Sequence, residues 1–248
     1  MLGPLIDITP ENQERPQRRT GPSPRPVDAA SLVVIDRSKP EPRFLMGRRH
    51  SAHRFMPDFV VFPGGRVDPQ DRRMSAFGAL QSETERQLMT HVVRPSASRA
   101  RALALCAIRE TCEETGLLIG EGGLGAPEEP PQSWSPFKDQ GVYPSLEALH
   151  FVARAITPPG HSKRFDARFF AVDAGAIAAR IDVGIGPQSE LVELMWLTAE
   201  ETASERCARV TRVIIREVVA RLEAGLERPL PVPFLFERNG RWLRGEIQ

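Results

Sequence analysis

Arg109-Glu110-Thr111-Cys112-Glu113-Glu114-Thr115-Gly116 is the stretch on which the reading of this chain turns. It closes a run, Ala102 to Ile108, that is strongly apolar. Ser96 or Ser98 can cap the start of that run, and Gly116 can end it, so one helix is predicted. Glu110, Glu113 and Glu114 stand at i, i+3 and i+4, which sets three carboxylates on one face. Like charges so placed oppose each other by roughly 0.2–0.5 kcal/mol per pair. No lysine is interspersed to relieve them. Arg109 is adjacent and is expected to point to a neighbouring face. A bound cation would turn the repulsion into attraction, and a cluster of oxygen donors suits Mg2+ or Mn2+. Three glutamates alone are equally compatible with a solvated acidic face.

Moving outward, Val61-Phe62-Pro63-Gly64-Gly65 ends a short apolar strand that begins at Phe59. Ala30–Ile35 and Arg43–Gly47 flank a Pro-Glu-Pro turn and predict a hairpin. A helix is expected over 72–94, interrupted by Pro95. Residues 120–136 are rich in Gly and Pro and predict a loop. Leu146–Ile156 reads as helix or strand, Ala167–Val172 and Leu191–Leu197 as strands. Residues 199 to about 226 read as a helix, with Val210, Val213, Ile214, Val218 and Leu222 at helical spacing. Strands and helices mixed without strict alternation predict an α/β fold, a mixed sheet flanked by helices.

Residues 1–28, proline-rich and without periodicity, are expected to be a disordered tail. The domain would then span 29–248, with 227–248 as an extended C-terminal tail. The net charge of +1 over 248 residues argues against a general nucleic-acid binder. No apolar run approaches the ~20 residues that a membrane span requires. The N-terminus lacks the basic start and apolar core of a signal peptide. The three cysteines, Cys106, Cys112 and Cys207, form no CxxC pair. Together these features predict a reducing, cytoplasmic setting.

Phe62-Pro63-Gly64-Gly65 followed by Arg109-Glu110-x-x-Glu113-Glu114-x-Gly116-Leu117 resembles the Nudix box, G-x5-E-x7-R-E-U-x-E-E-x-G-U with U apolar. Thr111 departs from it where an apolar residue is usual. The spacing departs further: Arg109 follows Gly65 by 44 positions instead of 14, so 30 residues are inserted, and the insertion is assigned to about 72–100. Counting from Gly65 places Asp71 at the early acid, whereas counting back from Arg109 places Arg101 there. A split box resembles the branch of Nudix hydrolases that includes coenzyme A diphosphatases. Val61 to Asp68 is similar to that branch's VFPGG-x-x-D segment. Thr157-Pro158-Pro159 with Arg164-Phe165-Asp166-Ala167-Arg168-Phe169-Phe170 is similar to its TP…RRFDTxFF segment. A further coenzyme A signature is matched at Arg49 and Arg54 but broken at His50 and Asp58.

The resemblance implies an α/β/α sandwich with a mixed sheet, a helical insertion within the box on one side of the cleft, and a C-terminal helix. It implies Glu113 and Glu114 as principal metal ligands, Glu110 as a further ligand or as the base, and Arg109 as a brace for the glutamates. The Gly64 carbonyl would be a ligand from the loop. A late acid before Trp196 would be Glu190 or Glu193. Arg49, Arg54 and Arg164 are the candidate substrate-binding residues. The implied reaction is Mg2+- or Mn2+-dependent hydrolysis of a nucleoside diphosphate derivative. For coenzyme A the products are 3′,5′-ADP and 4′-phosphopantetheine. A dinucleotide, nucleotide sugar, ADP-ribose or oxidised nucleotide is the alternative substrate, and a non-catalytic ligand-binding domain the alternative class. Bland roles compete at several positions: core packing for Trp196, a surface loop for His50 and His53, exposure for His161, and a structural ion pair within Arg164-Phe165-Asp166.

Overall fold

The run Ala30–Ile35 has no polar face to offer water beyond Ser31, and the computed structural model buries it on both sides. Leu32 and Val34 lie in one apolar cluster with Leu103, Leu105 and Ile108; Val33 and Ile35 lie in a second with Ile214, Ile215 and Val218. Alternating side chains thus feed two helical layers, which a strand achieves only at the centre of a covered sheet. The structure describes residues 2–9, 23–52, 56–228 and 230–248.

In chain order the strands are β1 (Ile6–Asp7), β2 (Val27–Asp36), β3 (Arg43–Arg49), β4 (Val60–Val61), β5 (Gly64–Arg66), β6 (Leu117–Glu121) and β7 (Tyr143–Pro144). They continue with β8 (His150–Ile156), β9 (Phe165–Asp173), β10 (Ile177–Arg180), β11 (Leu191–Leu197), β12 (Val232–Arg238) and β13 (Arg241–Ile247). The α-helices are α1 (Ser82–Met89), α2 (Ala97–Thr115), α3 (Ser135–Asp139), α4 (Ala199–Ser204) and α5 (Arg209–Ala224). The main sheet runs β1-β13-β12-β8-β9-β2-β3-β11, with β4 beside β3 and β5 beside β2. Strands β2 and β9 are parallel, β2 and β3 antiparallel, so the sheet is mixed. Helix α2 covers one face and α5 the other. A second, small sheet, β10-β6-β7, lies beyond the end of α2. Among the described residues no helix is long and apolar enough to cross a membrane.

Several expectations change. The segment 227–248 is not an extended tail: it is the β12–β13 hairpin, whose first strand joins β8 in parallel through Phe234↔Arg154. Residues 1–28 are not all tail, because Ile6–Asp7 pair with β13 and Val27–Asp28 begin β2; residues 10–22 lie outside the described part. Only Ser82–Met89 of 72–94 forms an α-helix. Phe77 makes a parallel bridge to Ser145, and His91 and Arg94 take positive φ of 55°, which the helix conformation forbids. The helix expected over 199–226 is broken at Glu205 to Ala208, because Cys207 bridges Val60 in β4. Tertiary pairing outweighs helix propensity there.

Helix α1 packs on the beginning of α2 and on β8. Arg154 donates to the carbonyls of Thr90 and His91 at 3.3 and 2.9 Å, and Arg99 to that of Val93 at 2.7 Å. The extra chain is therefore stored at the far end of α2.

Candidate active site

Ser96 caps α2, its Oγ accepting from the Arg99 N–H at 3.2 Å. Gly116 ends the helix at φ 73°, a left-handed conformation that costs other residues strain, and its N–H donates to the Cys112 carbonyl at 2.8 Å. Nineteen helical residues thus deliver Glu110, Glu113 and Glu114 to the last turns. The loop from β4 to β5 closes against them. The Gly64 N–H donates to Glu114 Oε2 at 3.0 Å. A Cβ on Gly65 would fall within 2.5 Å of Glu110 Oε1, so only glycine leaves room for that carboxylate.

Arg109 binds the group together. Its Nε and Nη2 donate to the two oxygens of Asp71 at 2.8 and 3.2 Å. Its Nη1 donates to Glu110 at 2.9 Å and to Glu113 at 3.0 Å, and Nη2 also donates to the Arg66 carbonyl at 3.0 Å. The guanidinium therefore swings across to the carboxylates instead of pointing away from them. Asp71 is fully buried and pairs with Arg109 through both of its oxygens. Arg101, the competing position, donates to the Arg72 and Met74 carbonyls and pins the start of the insertion.

The electrostatics are strained in a specific way. Burial pushes the Glu114 carboxyl up to about 8; the Gly64 amide and Arg49 oppose this, while Glu190 and Glu110 add to it. Burial likewise raises Glu110 to about 7, against the pull of Arg109 and with the push of Glu113 and Asp71. Burial alone would lower Arg109, but its hydrogen bond to Asp71 and the charges of Glu110 and Asp71 raise it. One guanidinium is thus shared among three carboxylates, and among the described residues Glu114 has a backbone amide as its hydrogen-bond partner.

The two candidate late acids part company. Glu190 precedes β11, accepts from Arg49 Nη2 at 2.7 Å, and acts on Glu114. Glu193 accepts from Arg48 at 3.0 Å, and Arg48 also reaches Glu205 at 3.2 Å. Strand β3 alternates, so Arg48 and Arg49 serve opposite faces of the sheet.

Arg49 thus lies at the carboxylates, whereas Arg54 and His53 fall outside the described residues. Arg164 is not brought there. It donates to the carbonyls of Thr157 and Pro24 at 2.9 and 3.0 Å, closing the turn before β9. Asp166 pairs with Arg154 at 2.7 Å and with Arg168 at 2.9 Å, not with Arg164. Arg168 has no exposed surface. Trp196 packs partly buried against the α2-side core. His50 Nδ1 accepts from the Ala52 N–H at 2.9 Å, a turn contact. All three cysteines are free and buried.

Among the described residues no three His, Cys, Asp or Glu side chains are gathered tightly enough to hold a metal ion as they stand. Arg109 holds Glu110 and Glu113, and Gly64 holds Glu114. The donor chemistry nevertheless fits a hard divalent cation. Buried carboxylates with raised pKa and too little positive charge beside them are the groups that such an ion would stabilise in ionised form.

No family model and no curated protein matches the chain. Solved structures do. A Nudix hydrolase from Alicyclobacillus acidocaldarius is 29% identical with a TM-score of 0.60, over 79% of this chain and 92% of that one. The NUDIX domain of Shewanella oneidensis NrtR, solved with ADP ribose, is 10% identical with a TM-score of 0.46, over 80% and 90%. A MutT protein from Methanosarcina mazei is 15% identical with a TM-score of 0.43, over 82% and 98%. The chain has the fold of a Nudix hydrolase, a mixed sheet between helices. The likeness to the Alicyclobacillus protein is similarity to a Nudix hydrolase over most of both chains.

Proposed function

We propose that the protein is a Mg2+- or Mn2+-dependent Nudix diphosphatase of the cytoplasm. Its substrate in this reading is a nucleoside diphosphate derivative, coenzyme A or an acyl-coenzyme A ester. The observation that carries the chemistry is Glu114, buried, bonded to the Gly64 amide, and within the electrostatic reach of Glu110 and Glu190. Glu113, Glu114, Glu110, the Gly64 carbonyl and Glu190 would hold the cation. When bound, it would neutralise the diphosphate and lower the pKa of water. Glu110 would be a further ligand or, left off the cation, the base that takes a proton from that water; without a metal, burial raises its carboxyl to about 7. Arg109, anchored by Asp71, fixes where Glu110 and Glu113 point. Arg49 presents positive charge toward the diphosphate. Addition of water to one phosphorus breaks the anhydride, giving 3′,5′-ADP and 4′-phosphopantetheine from coenzyme A.

The coenzyme A assignment rests on the split box and on the Val61–Asp68 and Thr157–Phe170 segments. The test is a panel of coenzyme A, acetyl-coenzyme A, NADH, ADP-ribose and diadenosine polyphosphates with Mg2+, products read by mass spectrometry. Cleavage of coenzyme A in preference to the others is expected. Turnover of NADH or ADP-ribose without coenzyme A would overturn the substrate assignment. Cleavage of no diphosphate would overturn the cation-dependent diphosphatase reading as a whole.

A further inference from the structure

We infer that Arg206, stacked on Phe59, forms a subsite for a phosphate monoester borne on the ribose of the substrate, one strand beyond Arg49. The inference rests on the diphosphatase reading and adds to it a chemical feature of the substrate.

Three residues form a row across the sheet. The β3–β4 register, Gly47↔Val61 and Arg48↔Val60, continues to place Phe59 opposite Arg49, whose N–H donates to the Phe59 carbonyl at 2.9 Å. On the other side of β4, the Val60 N–H donates to the Arg206 carbonyl at 2.9 Å, and Cys207 bridges Val60. Val60, Phe62 and Cys207 all lie in the cluster beneath α5. Alternation then directs Phe59 and Arg206 to the other face, the face of Arg49 and Glu114. The Arg206 guanidinium carbon lies 4.9 Å from the Phe59 ring centroid.

This geometry suits an anion. A guanidinium laid on a ring is held by cation–π attraction while its in-plane N–H fork stays free for two oxygens. The Arg206 side chain is 62% exposed, and its acidic neighbour Asp58 comes no nearer than 3.9 Å and is itself half exposed. A pair so solvated neutralises little. Glu205, adjacent in sequence, is taken by Arg48. With strands about 4.8 Å apart, Arg206 starts on the order of 10 Å across the sheet from Arg49. It is therefore too far to share the scissile diphosphate and is placed for a second phosphate on the same nucleotide.

The test is binding, which needs no turnover. Calorimetry at low ionic strength compares 3′,5′-ADP, 2′,5′-ADP and 5′-AMP on the full chain, wild type and Arg206→Gln, with Arg216→Gln on α5 as the control. Wild type and control should bind one bisphosphate about tenfold or more tighter than 5′-AMP, the scale of one charge-assisted contact. In Arg206→Gln that preference should fall below about twofold, and salt should weaken it in the wild type. The better bisphosphate identifies which ribose oxygen carries the phosphate. Equal binding of all three by the wild type, or a preference that survives Arg206→Gln, would overturn the inference. If the substrate panel shows no hydrolysis, the diphosphatase reading fails, while these affinities still decide the subsite.

Discussion

Replacing Glu114 by glutamine should move two properties in opposite directions: turnover falls and the metal-free protein becomes more stable. The folded carboxyl sits at about 8 against an ordinary value of 4.5. Below pH 4.5 both folded and unfolded states hold the proton and nothing is lost. As pH rises, the unfolded state ionises first, and folding stability is lost progressively until the folded group also ionises near 8. At about 1.4 kcal/mol for each pH unit, the interval sets a ceiling of roughly 5 kcal/mol. Water drawn toward a buried charge and relaxation of Arg49 reduce this, so about 2 kcal/mol is a reasonable expectation. Glutamine keeps an oxygen for the Gly64 amide and carries no charge. For a chain of this size, ~2–4 °C of melting temperature per kcal/mol gives a gain of about 4–8 °C.

The assay is calorimetric melting of wild type and Glu114→Gln in EDTA from pH 5 to 9. The two curves should nearly coincide at pH 5 and separate as pH rises, the variant above. Turnover of the best substrate with Mg2+ should fall at least ~100-fold in the variant, the usual cost of losing a charge-stabilising group. A melting difference that does not change between pH 5 and 9, or a variant less stable at pH 9, would refute the reasoning. The strain would then not reside in the Glu114 charge.

Asp71→Asn should cost about 1–3 kcal/mol in urea unfolding, because it removes the charge of Arg109's bidentate partner while Glu110 and Glu113 still pair with the guanidinium; a loss under ~0.5 kcal/mol would show that Arg109 does not depend on it. Gly65→Ala should lower turnover by ~10- to 100-fold with unchanged circular dichroism, since its Cβ must displace the Glu110 carboxylate, and full activity would mean Glu110 has no fixed role. Mg2+ titrated at pH 7 in buffers of different ionisation enthalpy should release protons, as Glu110 and Glu114 ionise on binding; identical heats after buffer correction would count against both as ligands. Glu190→Gln should raise the Mg2+ concentration needed for half-maximal turnover and Glu193→Gln should not, and the reverse result would reassign the late acid.

The parts of the site that were legible in the sequence are those that depend on local spacing. Glu110, Glu113 and Glu114 share a face because a helix repeats every 3.6 residues, and nothing distant is needed to see that. Gly116 as the helix end and Leu191–Leu197 as a strand were legible for the same reason. What was not legible is set by partners far along the chain. The choice between Glu190 and Glu193 depends on which face of β3 Arg49 and Arg48 occupy. Arg164 reads as a substrate residue beside a phenylalanine, but its guanidinium is consumed by the Thr157 and Pro24 carbonyls. The C-terminal hairpin was missed because its alternation is broken by charges, Glu237, Arg238 and Arg241, that surround its turn.

The split box poses a physical problem that Asp71 answers. In an unbroken box a short connection would hold the glycine loop near the helix. Here the chain leaves at Asp71, makes α1, and returns at Ser96 before reaching Arg109. Connectivity no longer imposes the distance, so side chains must. Asp68 and Asp71 cap each other across a 3-10 turn, Asp71 clamps Arg109 in two bonds, and Arg101 fastens the Arg72 and Met74 carbonyls at the exit. Loop-closure cost grows only slowly with length, so 30 extra residues are cheap once those contacts exist. The insertion could therefore change length or lose α1 with little effect on the carboxylates, provided that Asp71, Arg101 and Arg109 remain. Shortening it by removing Ser82–Met89 with a glycine bridge should lower the melting temperature yet retain turnover per folded molecule. Activity lost in a fold that still melts cooperatively would mean that the insertion, and not the Asp71 clamp, sets the geometry of the site.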